Sequence, residues 1–321
     1  GSYINVAFSG DTLALNVDNS FVTNPANLSV AAFIDGNSTP IVRTLADVSA
    51  GRITFSTSLS SGNHFARIVI RHNSNYSARW NVTGDTPTST LRITSIEISD
   101  SGSILPLSGT PLATKAPRVL YYGDSITEGN GVGPGDVFGY NSVGSQVGWL
   151  LGSEYGVKGY ASSMWHFNII SGVPDFFYPA GGSYNNAVWK NNYQGRSLLN
   201  DVNTPSSGFI EGAPDAIYNN LGINDRALYS NPTWGGTSGL NSFRSKVRGW
   251  FPEARQAVGG RTAIFMVVPF NYNCTAAINP AENEALNQLY KNAYVDAYND
   301  YITTSGDTRT FLIDLGAEGC Q

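Results

Sequence analysis

The sequence predicts an all-β domain followed by an α/β domain, on three observations. From Tyr3 to about Ile98, short β-rich runs alternate with Gly, Asn, Asp and Ser, and helical periodicity is absent. The stretch Ser99–Ala116 is rich in Ser, Gly, Pro and Thr, which is typical of a linker. After Pro117, strand-like and helix-like stretches alternate, as they do in a parallel sheet covered by helices. We therefore expect domains at residues 1–112 and 113–321.

The first domain is predicted to be a β-sandwich. Its strand-like runs recur about every 8–12 residues, which is the spacing of antiparallel sandwiches. We interpret the pattern as a jelly-roll-like module. The predicted strands are Tyr3–Phe8, Thr12–Val17, Leu28–Ile34, Ile41–Thr44, Arg52–Ser56, His64–Arg71 and Leu91–Ile98.

The second domain is predicted to have five parallel strands in a flavodoxin-like order, within a three-layer α/β/α arrangement. Its strands are expected at Arg118–Tyr122, Val157–Tyr160, Ala216–Leu221, Thr262–Val268 and Thr310–Asp314. Its helices are expected at Tyr140–Tyr155, Leu240–Val258 and Glu282–Tyr301. The long aromatic and Gly/Asn-rich region Ser171–Gly212 has the size of a functional or poorly ordered loop.

Charge and hydropathy exclude several classes of partner. Only 13% of the 321 residues are charged, and the net charge is −5. Such a chain lacks the basic surface that nucleic acids or anionic membranes attract. No apolar run reaches the roughly 18–20 residues of a membrane span. We expect a neutral or polymeric polar partner, and no nucleic acid, membrane, cofactor or metal ion.

Abundant Asn, Ser, Thr, Gly and Tyr with few Lys residues favour a secreted, extracellular protein. The chain opens Gly1-Ser2-Tyr3 without a signal peptide, so we expect a mature, soluble form. Sequons for glycosylation occur about as often as chance would place them in this composition. They are Asn27, Asn37, Asn75, Asn81 and Asn273.

One stretch places a serine where a nucleophile is expected. The β-branched and aromatic run from Val119 ends at Gly123-Asp124-Ser125, so Ser125 lies on a turn at the carboxyl end of a strand. Backbone N–H groups of such a turn can face a developing oxyanion. The string Gly-Asp-Ser-Ile-Thr-Glu-Gly at residues 123–129 resembles block I of the SGNH (GDSL-type) hydrolases. This resemblance implies that Ser125 is the catalytic nucleophile.

Two further segments extend the resemblance. Gly222-Ile223-Asn224-Asp225 is similar to block III, which implies that the Asn224 side chain donates into the oxyanion hole. The region Gly156–Trp165 lies where family members carry block II, with a glycine whose backbone N–H is the third donor; the resemblance implies that Ser162 takes this position and supplies the N–H. Asp124 and Asp225 are expected to support the site by accepting backbone N–H groups, as acidic residues in tight turns do.

Four residues in or beside loop segments are candidate substrate contacts. Aromatic rings can stack on sugars, although tryptophan in an aromatic-rich protein is also a common core or loop anchor. The candidates are Trp165, His166, Trp189 and Trp234.

The two-domain layout resembles the second family of carbohydrate esterases, which are acetylesterases. The resemblance implies a secreted serine esterase that removes acetyl or other small acyl groups from an acylated carbohydrate. An alternative is a carbohydrate-binding or otherwise non-catalytic protein on an inactive hydrolase scaffold.

The general base is the main departure from the family pattern. Family members carry Asp-x-x-His after the last strand, whereas here Asp314 ends that strand and no histidine follows. A serine hydroxyl needs a base within hydrogen-bond reach. Three explanations stay open: a C-terminal peptide or second chain carries the histidine, His166 replaces it, or catalysis is lost.

The two cysteines, Cys274 and Cys320, allow one disulfide or two buried thiols. Cys274 lies six residues after Val268 and Cys320 lies six residues after Asp314, at the ends of two strands expected to be neighbours. We expect a disulfide, contributing roughly 4 kcal/mol by the chain-entropy estimate. It would hold the chain end beside Ser125, where polypeptide with the missing histidine could dock.

Overall fold

The structure is a computed structural model, in which residues 3–20, 28–48, 50–72, 91–113, 117–129, 139–159, 165, 190–191, 196–197, 214–227, 236–269 and 280–315 are described. The chain forms two compact units. The first comprises Gly1–Ala116 and Glu128–Val157, and the second comprises Pro117–Thr127 and Lys158–Gln321. The segment Glu128–Val157 therefore groups with the β-rich unit, although it follows the nucleophile in sequence. The domain division at residues 1–112 and 113–321 stays a prediction.

Eight strands of the first unit form two antiparallel sheets. In chain order they are β1 (Tyr3–Ser9), β2 (Leu13–Asp18), β3 (Ser29–Ile34), β4 (Ile41–Thr44), β5 (Arg52–Ser56), β6 (Asn63–His72), β7 (Arg92–Ile98) and β8 (Ile104–Leu105). One sheet has the order β4-β3-β6-β1-β8 and the other β5-β2-β7. The seven predicted strands agree with β1–β7 to within one residue at each end. The predicted linker was wrong in one respect, because it contains β8, which pairs with β1.

Strand alternation gives this unit a single apolar core. In β1, Val6 and Phe8 are buried in the core, as are Leu13 and Leu15 of β2 in the other sheet. Burying apolar side chains from both sheets stabilises their packing face to face. A two-sheet β module is therefore present, while its jelly-roll topology stays a prediction.

A helical segment packs against the opposite face of β3. The side chain of Phe33 contacts Trp149 edge-on at 5.3 Å between ring centroids, and Tyr140 at 6.1 Å. Trp149 belongs to α2 (Val143–Leu150), which begins where the Ser142 side chain accepts a hydrogen bond from the Ser145 N–H. The predicted helix at residues 140–155 is shorter in the structure, because the chain turns left-handed at Gly152, with φ of +59°.

Five of the remaining described strands form one sheet with parallel pairing, and two more form a short pair. The strands are β9 (Arg118–Gly123), β10 (Glu154–Gly159), β13 (Ala216–Asn220), β14 (Ala263–Val268) and β15 (Thr310–Asp314), with a short pair β11 (Lys190–Asn191) and β12 (Arg196–Ser197). The helices are α1 (Ser125–Glu128), α3 (Ile223–Ala227), α4 (Gly236–Val258) and α5 (Pro280–Ser305). Strand order is β10-β9-β13-β14-β15, which confirms the predicted flavodoxin-like order. The three-layer arrangement stays a prediction. Among the described helices, none is both long and apolar enough to cross a membrane.

One ion pair joins α4 to the loop between α5 and β15. Arg255 Nε donates to Asp307 Oδ2 at 2.8 Å, and both side chains are largely buried. Burial alone would raise the pKa of Asp307. Hydrogen bonds from the Thr310 hydroxyl, the Arg309 N–H, Arg255 and Tyr301 outweigh it and lower the pKa to about 2.

Asp307→Asn is expected to lower the free energy of unfolding by about 3 kcal/mol at pH 7, because it leaves a largely buried guanidinium without its counter-ion. A carboxyl whose folded pKa is depressed stabilises the protein above its unfolded pKa and loses this effect as pH falls through the folded value. The difference between wild type and variant should therefore persist down to about pH 4 and shrink toward pH 2. Urea unfolding at a series of pH values measures it.

The matched control is Asp300→Asn. Asp300 pairs with Arg248 at 2.5 Å, but both side chains are more than half exposed. Such a pair contributes about 0–1 kcal/mol. Equal losses from the two variants would contradict the assignment of Asp307 as a buried counter-ion.

Candidate active site

Ser125 lies at the point where β9 ends and α1 begins. The strand is buried from Val119 to Gly123, and Asp124 has no exposed surface. Asp124 Oδ1 accepts a hydrogen bond from the Ile126 N–H at 3.0 Å, which fixes the turn. Ser125, in contrast, is partly exposed. The sequence places its hydroxyl at the carboxyl edge of the sheet, and the structure shows this strand-to-helix turn.

Glycine is required at position 123 because Thr127 packs against it. A Cβ on Gly123 would lie 1.9 Å from Thr127 Oγ1 and 2.6 Å from Thr127 Cβ. The Thr127 side chain is buried, so it has little room to move away. The tight Gly-Asp-Ser-Ile-Thr turn is thus held by packing as well as by the Asp124 hydrogen bond.

Asn224 follows the neighbouring strand. β13 runs parallel to β9, with Asn220 in register with Gly123. Ser125 comes two residues after Gly123 and Asn224 four residues after Asn220. Because parallel strands end at a common edge, both residues lie at the carboxyl edge of the sheet. The convergence of the Ser125 hydroxyl and the Asn224 amide on one oxyanion stays a prediction.

Asp225 and Trp165 are bonded to one another. The Asp225 carboxylate accepts a hydrogen bond from the Trp165 backbone N–H at 2.8 Å, the kind of contact expected for an acidic residue in a turn. The Trp165 side chain is 3% exposed, and its ring packs edge-on against Trp250 at 6.1 Å. The prediction of Trp165 as a sugar-stacking residue was wrong, because a ring buried in this way has no face free for a sugar.

Two tyrosines of α5 were not predicted to belong to the site. Tyr290 donates its hydroxyl hydrogen to Asp225 O at 3.0 Å, and Tyr294 donates to Leu221 O at 2.5 Å. Burial, followed by the charge of Asp225, raises the pKa of Tyr294, so its hydroxyl stays protonated. The sequence carries one signal of these contacts: two aromatic residues four positions apart share one face of a helix.

His64 is a described histidine, and it belongs to the first unit. The His64 ring is buried in the first unit, with Nδ1 2.7 Å from Asp35 Oδ2 and Nε2 2.8 Å from Ser60 O. Burial would lower the pKa of His64, but its hydrogen bonds to Ser60 and Asp35 raise it.

Asp314, at the end of the last strand, forms an ion pair with Lys291. Several predicted residues lie outside the described part of the chain, and their roles stay predictions: Ser162, His166, Trp189, Trp234, Cys274 and Cys320.

Three solved structures that are similar to this chain in fold are family two carbohydrate esterases. A family two carbohydrate esterase from Clostridium thermocellum, in complex with cellohexaose, is 17% identical, with a TM-score of 0.64 over 99% of this chain and 83% of that chain. In fold, the chain resembles the family two carbohydrate esterases. The family two esterase with a carbohydrate-binding domain from Corynascus thermopiles (Myceliophthora fergusii) is 17% identical, with a TM-score of 0.66 over 100% of this chain and 86% of that chain. A third, from Cellvibrio japonicus, is 16% identical, with a TM-score of 0.56 over 98% of this chain and 79% of that chain.

These similarities confirm the recognition drawn from Gly123–Gly129 and Gly222–Asp225 at the level of the fold. No protein-family model matches the sequence, and no curated protein matches it.

Proposed function

We propose that the chain is a secreted serine esterase that removes acetyl or other small acyl groups from carbohydrate. The observation that carries the proposal is the register of β9 with β13, which brings the turn of Ser125 and the segment of Asn224 to one sheet edge. The fold shared with family two carbohydrate esterases supports the ester and the sugar as the substrate class.

In the proposed reaction, Ser125 Oγ attacks the acyl carbonyl carbon while a base takes the hydroxyl proton. The carbonyl oxygen becomes an oxyanion that the Asn224 amide and the backbone N–H groups of Ser125 and Ser162 stabilise. Collapse breaks the ester bond and releases the sugar hydroxyl, which receives the proton. Water then attacks the acyl carbon while the same base takes its proton; the bond from Ser125 Oγ to the acyl carbon breaks, the base returns the proton to Ser125 Oγ, and the carboxylic acid leaves.

The base in this proposal is a histidine. His166 and a histidine on polypeptide docked near the carboxyl edge are the two sources considered. His166→Gln separates them: near-complete loss of activity assigns the role to His166, whereas retained activity assigns it to the docked polypeptide. In both cases the activity of His166→Gln is compared with that of the wild-type protein, with both proteins in their full natural form.

The proposed function is tested by active-site labelling and product release. A fluorophosphonate should add one phosphonyl group per chain, and tryptic mass spectrometry should locate it on Ser125. The labelled protein should no longer release acetate from 4-nitrophenyl acetate or from acetylated xylooligosaccharide. Labelling at another serine, or acetate release that survives complete labelling, would refute the proposal.

Carbohydrate binding without catalysis is the second candidate, and one observation favours it. The Clostridium thermocellum neighbour was solved with cellohexaose, which is a sugar chain without an acyl ester. Calorimetric titration of cellohexaose into the unlabelled and the phosphonylated protein tests this function. Measurable binding together with no ester hydrolysis would favour the binding protein over the esterase.

A further inference from the structure

The segment Leu221–Asp225, which carries Asn224, is held at both ends by aromatic side chains from other parts of the second unit. Leu221, Ile223 and Asp225 are buried, so the segment is packed into the protein on either side of Asn224. The three residues that hold it are Trp165, Tyr290 and Tyr294, and we call them the aromatic clamp.

At the first end of the segment, two donors meet on one carbonyl. Leu221 O accepts the Trp165 indole N–H at 2.9 Å and the Tyr294 hydroxyl at 2.5 Å. The indole N–H also lies 3.1 Å from the Tyr294 hydroxyl oxygen, so the two donors are joined to each other. Both lone pairs of the carbonyl are therefore engaged, and its direction is fixed.

At the second end, Asp225 is held through its backbone and its side chain. The Tyr290 hydroxyl donates to Asp225 O at 3.0 Å, and the Trp165 backbone N–H donates to Asp225 Oδ2 at 2.8 Å. Trp165 is thus bonded to both ends of the segment, once through its ring and once through its main chain. Asn224 lies between the two attachments.

The clamp residues are themselves fixed by packing. Phe243 of α4 contacts Tyr290 at 4.7 Å and Tyr294 at 5.3 Å between ring centroids, and Trp250 packs against Trp165. Buried rings in close contact have little freedom to change rotamer. The position of the Asn224 segment therefore depends on α5 through hydrogen bonds and on α4 through ring packing against the clamp residues.

We propose that Trp165 and Tyr294 are positioning residues, which set the place of the Asn224 amide in the oxyanion hole. An oxyanion donor must lie about 2.7–3.1 Å from the developing charge, and a misplacement of 1 Å can cost about 100-fold in rate. The clamp supplies the required rigidity without contacting substrate. This inference rests on the proposed function, because it assigns the clamp a role in ester hydrolysis.

The test uses Tyr294→Phe, which removes a single hydrogen-bond donor, and Trp165→Phe, which removes the indole N–H together with part of a buried ring. Each should lower kcat for 4-nitrophenyl acetate about tenfold while KM changes less than about threefold, since the donor acts in the transition state. Tyr298→Phe is the matched control. Tyr298 lies on the same helix and donates to a backbone carbonyl, Thr310 O at 3.3 Å, but does not contact the segment. It should leave kcat unchanged.

A double-mutant cycle decides whether the clamp acts through Asn224. In an Asn224→Ala background, Trp165→Phe and Tyr294→Phe should produce no further loss of kcat, because the group they position is gone. Multiplicative losses would overturn the inference, as would a change confined to KM or an equal loss from Tyr298→Phe.

Amide hydrogen exchange supplies a readout apart from catalysis. The peptide covering Leu221–Asp225 should exchange about tenfold faster in Trp165→Phe and Tyr294→Phe, with the peptide covering β14 unchanged. Unaltered exchange at Leu221–Asp225 would overturn the clamp. Persistent hydrolysis in Ser125→Ala would refute the proposed function and the inference with it. If Ser125→Ala abolished hydrolysis but the losses of kcat in the double-mutant cycle were multiplicative, the proposed function would stand and only the inference would be refuted.

Discussion

Ser125→Ala is expected to lower kcat for 4-nitrophenyl acetate by about 10⁶-fold, the size of the loss when a serine protease loses its nucleophile. The variant should keep the turn, because the hydrogen bond from the Ile126 N–H to Asp124 Oδ1 does not involve the Ser125 side chain. Its unfolding midpoint in urea should therefore match the wild type. KM or binding of cellohexaose should change little, because the hydroxyl acts on the reacting carbon.

The control is Ser245→Ala, which changes an exposed serine on α4. It should retain full activity and gain slightly in stability, since alanine is the better helix former. If Ser125→Ala retained more than about one hundredth of the wild-type kcat, the acyl-enzyme mechanism at Ser125 would be wrong.

Gly222→Ala has the second largest expected effect. Gly222 has φ of +134°, a conformation that residues with a side chain rarely adopt. A Cβ there would lie 1.9 Å from Tyr294 Oη and 3.3 Å from Trp165 Cδ1. Strain and overpacking together should lower the free energy of unfolding by about 3 kcal/mol. The activity should fall more than in Trp165→Phe, because the whole Asn224 segment must shift.

Gly249→Ala is the matched control for this prediction. Gly249 lies within α4, and a Cβ there would meet no atom within 4 Å. Alanine in a helix interior should stabilise the protein by about 0.5–1 kcal/mol. Urea unfolding and kcat for both variants measure the contrast. A Gly222→Ala protein as stable and active as wild type would contradict the described geometry at Leu221–Asp225.

The strands could be predicted because their signals are local. In β1, every second residue, Ile4, Val6 and Phe8, belongs to the core or packs against it, which follows the pleat, so its bounds were predicted to within one residue. The short strand β8 was missed because Pro106 directly follows it and its two residues show no alternation. The grouping of Glu128–Val157 with the β-rich unit depends on contacts such as Phe33 with Trp149, which no local pattern reveals.

The same distinction between local sequence signals and tertiary contacts applies to the candidate active site. Gly123–Gly129 and Gly222–Asp225 were recognisable because the chemistry needs those residues consecutively along the chain. Trp165 was named a candidate substrate contact, with a core or loop anchor as the alternative, because it lies in or beside an aromatic, loop-like segment, whereas its hydrogen bonds join residues about sixty positions away. Contacts at that separation depend on the tertiary fold, so the clamp could be found only from the structure.

The grouping of Glu128–Val157 with the β-rich unit bears on how such a protein can be divided and recombined. The chain passes between the two units three times, after Ala116, after Thr127 and after Val157. A gene fragment encoding only residues 1–112 would lack Trp149 and Tyr140, and so would leave the Phe33 ring without the aromatic partners that it contacts. The β-rich unit therefore cannot be transferred whole to another protein by one recombination event. Its two segments flank the part of the gene that encodes the nucleophile turn, so the unit and the turn are inherited together.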